Sequence, residues 1–202
     1  MSYLTSVAQA TLIAFHSFSG SWAVAIALLA LLLKGILFPA QLFNYLQQKK
    51  LLRIRPELEA IAEKHKKDPL RIYQESASLK RRIGVKTAWT FITSLAPLPI
   101  FFSVYRVFAA TPPLMTGGFA WITSFAAPDA FYILPLVVAL AAFGQQTLFP
   151  ASGVKPEMAR VMRFMPVVSL IFMITLPSGL VLYYAVSGVL NLVADYAFRH
   201  FA

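Results

Sequence analysis

Apolar residues run through this chain in long blocks, and the polar residues gather between them. From 22 to 44 the only charge is Lys34, and from 88 to 110 the only charge is Arg106. The blocks 131–149 and 164–194 carry none. A helix needs about 20 apolar residues to cross a hydrocarbon core roughly 30 Å thick. Each of the first three blocks therefore predicts one crossing. The fourth, 31 residues long, would reach about 46 Å as a single helix, too far for one crossing. Pro177-Ser178-Gly179 interrupts it. Proline breaks a helix and glycine permits the turn, so the block predicts two short spans, 164–176 and 180–194. The predicted fold class is an all-α membrane protein with five transmembrane helices.

The polar segments predict the remaining elements. Residues 47–87 are too polar to enter a bilayer. Leu51, Ile54, Leu58 and Ile61 recur at helical spacing. Asp68-Pro69 reads as an N-cap followed by a first-turn proline, Leu70, Tyr73 and Ala77 form a second apolar stripe, and Gly84 suits a helix C-terminus. The segment is thus a helical hairpin. Ahead of the first span, Leu4, Val7, Thr11, Phe15 and Phe18 share one helical face, which predicts an interfacial helix over 1–21. That segment lacks the basic region of a cleavable signal peptide.

Charge orients these elements. Of the 18 Lys and Arg residues, 12 lie in 47–87, three in the loop 150–163 and one, Arg199, in the tail 195–202. The segments 1–21 and 111–130 have none. Basic residues concentrate on the cytoplasmic side, which predicts an N-out/C-in arrangement. The hairpin, the loop 150–163 and the tail are then cytoplasmic, and the loop 111–130 is extracytoplasmic. Composition agrees: 58% hydrophobic and 13% charged, with mean hydropathy +0.68, against about 25% charged in a soluble domain. An aromatic content of 14% excludes a disordered chain. A net charge of +10 would suggest nucleic acid in a soluble protein; here it reports topology, and no DNA partner is expected. The hairpin, at net +7, suits anionic lipid headgroups, ribosomal RNA or an acidic incoming chain. With no cysteine and three scattered histidines, neither a metal site nor a cofactor is expected.

Lys34 is the residue that needs an explanation. It is the thirteenth of the 22 residues from Trp22 to Phe43, a depth at which a charge costs about 2.5–3.5 kcal/mol. No carboxylate falls at mid-membrane depth, because Asp129, Glu157 and Asp195 lie in loops or at a span's inner end. Snorkelling is marginal, since Gln41 stands about 10 Å further along the helix. A water-filled cavity explains the cation better. Tyr184, Ser187, Asn191 and Asp195 step along one face of the last span. Gln145-Gln146 lies near the inner end of the third span, and Thr90 and Ser94 occupy the inner half of the second. Singly each suits interhelical hydrogen bonding. Together with a cation lacking a partner they predict a polar groove open to the cytoplasm, beside short final spans that thin the bilayer. Arg106 lies close enough to the outer end of its block to snorkel, with Asp129 a candidate neighbour.

Several strings carry a resemblance: LLLKGILFP at 31–39, PIFFSVYRV at 99–107, APDAFYILP at 127–135 and MPVVSLIFMITLPSGLVLYYAVSGVLN at 165–191. They resemble the YidC family of membrane protein insertases, with its Oxa and Alb relatives in organelles. The chain looks like the insertase core without the large extracytoplasmic domain of many Gram-negative members. The resemblance implies a groove cation on the first core span that receives the polar tail of a substrate. Lys34 stands at that position, where family members usually carry Arg; Lys keeps the charge but loses the two-pronged fork. Tyr184, with its neighbour Tyr183, matches an aromatic position that contacts substrate helices, and Gln145 matches a polar groove position. The chain departs from the family pattern at Lys86-Thr87 and Trp89-Thr90, at Gly188 in place of a frequent Asn, and at Ala30 in place of a hydroxyl.

The function this implies is insertion without chemical catalysis. Short polar tails pass through the groove and apolar helices leave for lipid. The expected partners are nascent or newly made membrane proteins, with the ribosome, a Sec translocon and anionic lipids as further candidates. The expected location is the bacterial cytoplasmic (inner) membrane, since no transit peptide is seen. Two other classes remain: an assembly chaperone without autonomous insertion, and a small-solute transporter, which usually shows internal repeats. An enzyme is disfavoured because the spans lack carboxylates, His and Cys.

Overall fold

The computed structural model of the chain describes residues 2–66, 68–95, 97–110, 118–148 and 156–201. These fold into α1 (Ser2–Ser19), α2 (Trp22–Arg53), α3 (Arg55–Lys64), α4 (Pro69–Arg82), α5 (Thr87–Leu95), α6 (Pro97–Ala110), α7 (Ile133–Leu148), α8 (Pro156–Met173) and α9 (Ser178–Phe201). Among the described residues the only β feature is an isolated bridge between Phe119 and Ile122.

Three stretches are long and apolar enough to cross a membrane: Trp22–Arg53, Thr87–Phe108 and Ser178–Phe198. Two shorter apolar helices, Ile133–Thr147 and Val161–Met173, accompany them. The outward face is apolar. On α8, Val161, Phe164, Val168 and Ile171 are all more than half exposed. Water does not tolerate so continuous an apolar surface on a stable monomer, whereas hydrocarbon solvates it.

Packing is concentrated at one end of the bundle. Leu12 of α1, Ile26 and Leu29 of α2, Val104 and Phe108 of α6, Phe125 of the following loop and Leu180 and Val181 of α9 form one buried cluster. The α8–α9 turn is bonded into this end. Ser178 donates its N–H to Ala127 O (2.8 Å) and its hydroxyl to Ser124 O (2.8 Å), while Gly179 N–H reaches Phe125 O (3.0 Å). A Cβ on Gly179 would stand 2.6 Å from the Phe108 ring, so only glycine admits this approach. The interruption predicted at Pro177-Ser178-Gly179 falls between α8 and α9, where the loop across from it holds the turn, and α9 then runs on to Phe201 as a 24-residue helix, longer than the short span 180–194 expected. Asp129, also buried here, accepts N–H bonds from Phe131 (3.1 Å) and Leu134 (2.8 Å) and so caps the start of α7.

Contacts near the start of α2 involve the start of α9, and contacts near its end involve the end of α9, where Phe38 and Tyr45 meet the ring of Phe198 at 5.4 and 5.3 Å. The two helices thus run in the same direction. α7 does too, because Ala141 and Gly144 meet Gly188 and Leu192 in register. Small residues permit this close approach: a Cβ on Gly188 would lie 3.0 Å from Ala141 Cβ.

α1 buries Leu12, with Ala8 and Phe15 partly covered, against α2 and α6. Val7 and Phe18, from the predicted interfacial stripe, remain exposed. α2 continues beyond 44 as one helix to Arg53, so the first part of the segment 47–87 extends a span and the separate hairpin consists of α3 and α4. Asp68 caps α4 by accepting Arg71 N–H (3.1 Å), with Pro69 in the first turn. Gly84, at φ +71°, takes the left-handed conformation that ends the helix. Buried Gln47 then accepts Lys86 N–H (3.0 Å) and fastens the returning chain to α2.

Candidate functional site

Beyond the packed end, side chains on α2, α7 and α9 change from apolar to amide. Lys34 Nζ donates to Asn191 Oδ1. The same oxygen accepts from Gln41 Nε2 at 3.3 Å. One turn further along α9, Asp195 lies within electrostatic range of Lys34. The sequence reading expects a cation without a partner; the structure corrects this. Its partner is an amide oxygen on a parallel helix, with a carboxylate beyond it. A hydrogen bond to a charged group contributes about 1.5–3 kcal/mol, comparable with the cost of about 2.5–3.5 kcal/mol for a central Lys. An amide beside a polar cavity can therefore hold the charge.

Such a cavity adjoins this pair, with a volume of about 830 Å³. α2 contributes Gln41, Asn44, Tyr45 and Gln48 to its wall, and α7 contributes Gln145 and Gln146. α9 adds Asn191 and Asp195, and α8 adds Met162 and Arg163. Six amides share this wall with apolar Ala142, Phe143 and Met162, and an amide both donates and accepts hydrogen bonds. The wall can thus replace water around a passing polar chain without a fixed preference for donors or acceptors. Among the described residues no three His, Asp or Glu side chains converge as a metal site.

The predicted groove residues separate into two groups. Gln145 and Asn191 line the cavity, and Lys34 reaches it through Asn191. Ser187 is buried one turn above Asn191. Tyr183 is part of the packed cluster, whereas Tyr184 is only partly buried and meets the Tyr183 ring edge-on at 5.3 Å. Thr90 bonds locally, to Lys86 O just ahead of its helix at 3.1 Å, and the side chain of Ser94 lies outside the described residues. Arg106 is exposed, Asp129 accepts from backbone N–H groups instead, and among the described residues no ion pair joins the two.

The sequence reading missed Gln41, Asn44 and Gln48. Asn44 also accepts the Thr93 hydroxyl at 2.6 Å, tying α2 to α5. A signal existed: Gln41, Asn44 and Gln48 follow Lys34 at steps of 7, 3 and 4, one helical face. It is hidden because Gln41 and Asn44 fall at the inner end of the apolar block and Gln48 in the polar segment beyond it, so the shared face crosses the boundary between the two.

Comparison with known proteins bears on this arrangement. The family described as 60Kd inner membrane protein matches residues 14–202. Membrane protein insertase YidC of Nitrosospira multiformis is 34% identical over 183 residues, covering 90% of this chain and 32% of that protein. The chain thus spans about a third of that relative's length. A crystal structure of an active YidC insertase, with its first transmembrane domain resolved, aligns at TM-score 0.70 and 26% identity, over 95% of this chain and 46% of that one.

Proposed function

The chain belongs to the 60Kd inner membrane protein family, the YidC-type insertases, and from that premise we propose that it inserts proteins into the bacterial inner membrane through the amide-lined cavity beside Lys34. Five spans in an N-out/C-in arrangement would place the cavity on the cytoplasmic side. The parallel course of α2, α7 and α9 supports that reading, because alternate crossings must share a direction. The observation that carries the proposal is a cation held by Asn191 at the head of a polar cavity inside an apolar bundle.

The mechanism is physical. A substrate tail must shed water to cross hydrocarbon, and each unsatisfied peptide group there costs several kcal/mol. The groove carries the tail part of the way in contact with amides and Lys34, and the short helices α7 and α8 shorten the dry remainder. Thr90, Ser94 and Ser187 add polar groups along the path. The apolar helix of the substrate then leaves past Tyr184, backed by Tyr183, into lipid, with a gain of about 25 cal/mol per Å² of apolar surface removed from water. The basic hairpin would bring newly made membrane proteins, the ribosome or a Sec translocon to the groove and dock on anionic lipid.

Proteoliposomes test this. Wild type should insert a small membrane protein with a short polar tail well above empty liposomes, scored by protection of the tail from protease. Lys34→Ala should lower insertion about tenfold if the cation's hydrogen-bonding share, roughly 1.4 kcal/mol, is lost. Insertion by wild type no better than by empty liposomes would contradict the reading.

A further inference from the structure

We propose that the aromatic face of the loop 118–132 is a lipid-docking surface, seated in the headgroup layer at the packed end of the bundle, and that it fixes the depth at which α7 sits. The inference rests on the bundle spanning a membrane and holds whether or not the cavity passes a substrate.

The loop is fastened from within. Ile122, Phe125 and Asp129 are buried. Phe119 and Ile122 exchange two backbone hydrogen bonds, each 2.9 Å. Ala120 and Tyr132 take positive φ, +52° and +57°, a conformation uncommon for residues with a Cβ. Such backbone persists only where its surroundings over-determine it. The side chains this loop turns outward are aromatic: Phe119, Trp121, Phe131 and Tyr132 are 49, 37, 66 and 53% exposed. Asp129 is the one charged residue from 118 to 132, and its carboxylate is turned inward onto the N–H groups of Phe131 and Leu134. The outward face therefore carries large rings and no charge.

Two observations favour lipid as its cover. Tyr132 begins a stripe along α7: Leu136, Leu140 and Phe143 follow it at steps of 4, 4 and 3 on one helical face, and all are exposed. The aromatic face thus continues the lipid-facing surface of the helix. The rings of Trp and Tyr also combine an apolar body with a polar tip, the chemistry that settles where hydrocarbon meets water. The consequence for α7 is geometric. Its 16 residues reach about 24 Å, against roughly 30 Å of hydrocarbon. With its loop end held at one interface, the shortfall is left to the other end, where Gln145 and Gln146 line the cavity.

Nitroxide labels test this, because the chain has no cysteine of its own. Oxygen concentrates in hydrocarbon and a nickel chelate stays in water, so the ratio of their collision rates with a label rises with depth. Labels on Thr123→Cys and Ala130→Cys leave the four rings in place. Leu140→Cys serves as the lipid reference and Lys64→Cys, on the exposed hairpin, as the water reference. In phosphatidylcholine vesicles the ratios at 123 and 130 should fall between the references, several-fold above that at 64. Ratios equal to that at 64 would put the loop in water and overturn the proposal. Few collisions with either reagent would mean that protein covers the face, and would overturn it too. The depth claim is tested by Phe131→Ser with Tyr132→Asn, since Asn tolerates the left-handed backbone. A label on Leu136→Cys should then show a higher ratio, as the short helix recentres in the bilayer. An unchanged ratio overturns the depth-fixing role. Both side chains are exposed, so the Tm of the double variant in detergent should match wild type; a clear fall would assign the rings to packing and contradict lipid docking. None of these readouts is insertion, so failure here and failure of the insertase reading are separate results.

Discussion

The two ends of the bundle solve opposite problems with the same helices. At one end α2, α6 and α9 are locked by contact: Ile26, Leu29, Val104, Phe108, Phe125, Leu180 and Val181 exclude solvent, and backbone bonds from Ser178 and Gly179 fix the α8–α9 turn. At the other end α2, α7 and α9 stand around a cavity, joined by long polar side chains such as Lys34, Gln41 and Asn191. The first end needs shape, the second needs hydrogen-bonding capacity. A bundle packed tightly throughout would leave no wet path, and one open throughout would have nothing to hold its short helices in register. The apolar end is the packed frame from which the cavity-lining helices extend.

The sharpest way to break this contrast is to overfill the packed end. Gly179→Val should cost about 1–3 kcal/mol, the usual range for overpacking, because its side chain must enter the space held by Phe108. Thermal unfolding in detergent should show a clear fall in Tm. Gly35, one residue past Lys34, has nothing within 4 Å of a Cβ. Gly35→Ala should leave Tm unchanged or raise it slightly, since alanine favours helix by about 1 kcal/mol. Equal losses at both glycines would mean that the two ends do not differ in packing.

How much of this contrast the sequence revealed depends on which end is considered. Blocks of apolar residues are legible because a bilayer demands length, and Pro177-Ser178-Gly179 marks its turn by backbone chemistry alone. Asp68 and Gly84 likewise announce helix ends. The groove was legible only as a set of polar residues without positions. Lys34, Gln145 and Asn191 come together because α2, α7 and α9 run parallel and close, and that register rests on Gly144 and Gly188, whose part is visible only in three dimensions. The acceptor for Lys34 was missed because reasoning from charge looks for a carboxylate, whereas an amide supplied the oxygen. The burial of Tyr183, next to the half-open Tyr184, depends on the helix's rotation against the frame.

A smaller effect is expected from the hairpin, which belongs to neither end. Deleting 56–80 removes α3 and most of α4 but leaves the Gln47–Lys86 fastening in place. The spans should keep their Tm, while insertion falls several-fold through lost local concentration of substrate. Full insertion after the deletion would reduce the hairpin to a lipid anchor.

The most direct measurement uses the chain's lack of cysteine. Single cysteines are placed at Lys34, Gln145 and Asn191 around the cavity, and at Ile26 and Val181 in the packed end. Each is exposed to a membrane-impermeant thiol reagent from the cytoplasmic side of sealed vesicles. The account predicts labelling at 34, 145 and 191 and none at 26 and 181. Protection at all five positions would contradict a hydrated groove, and with it the claim that one end of this bundle is built to stay wet.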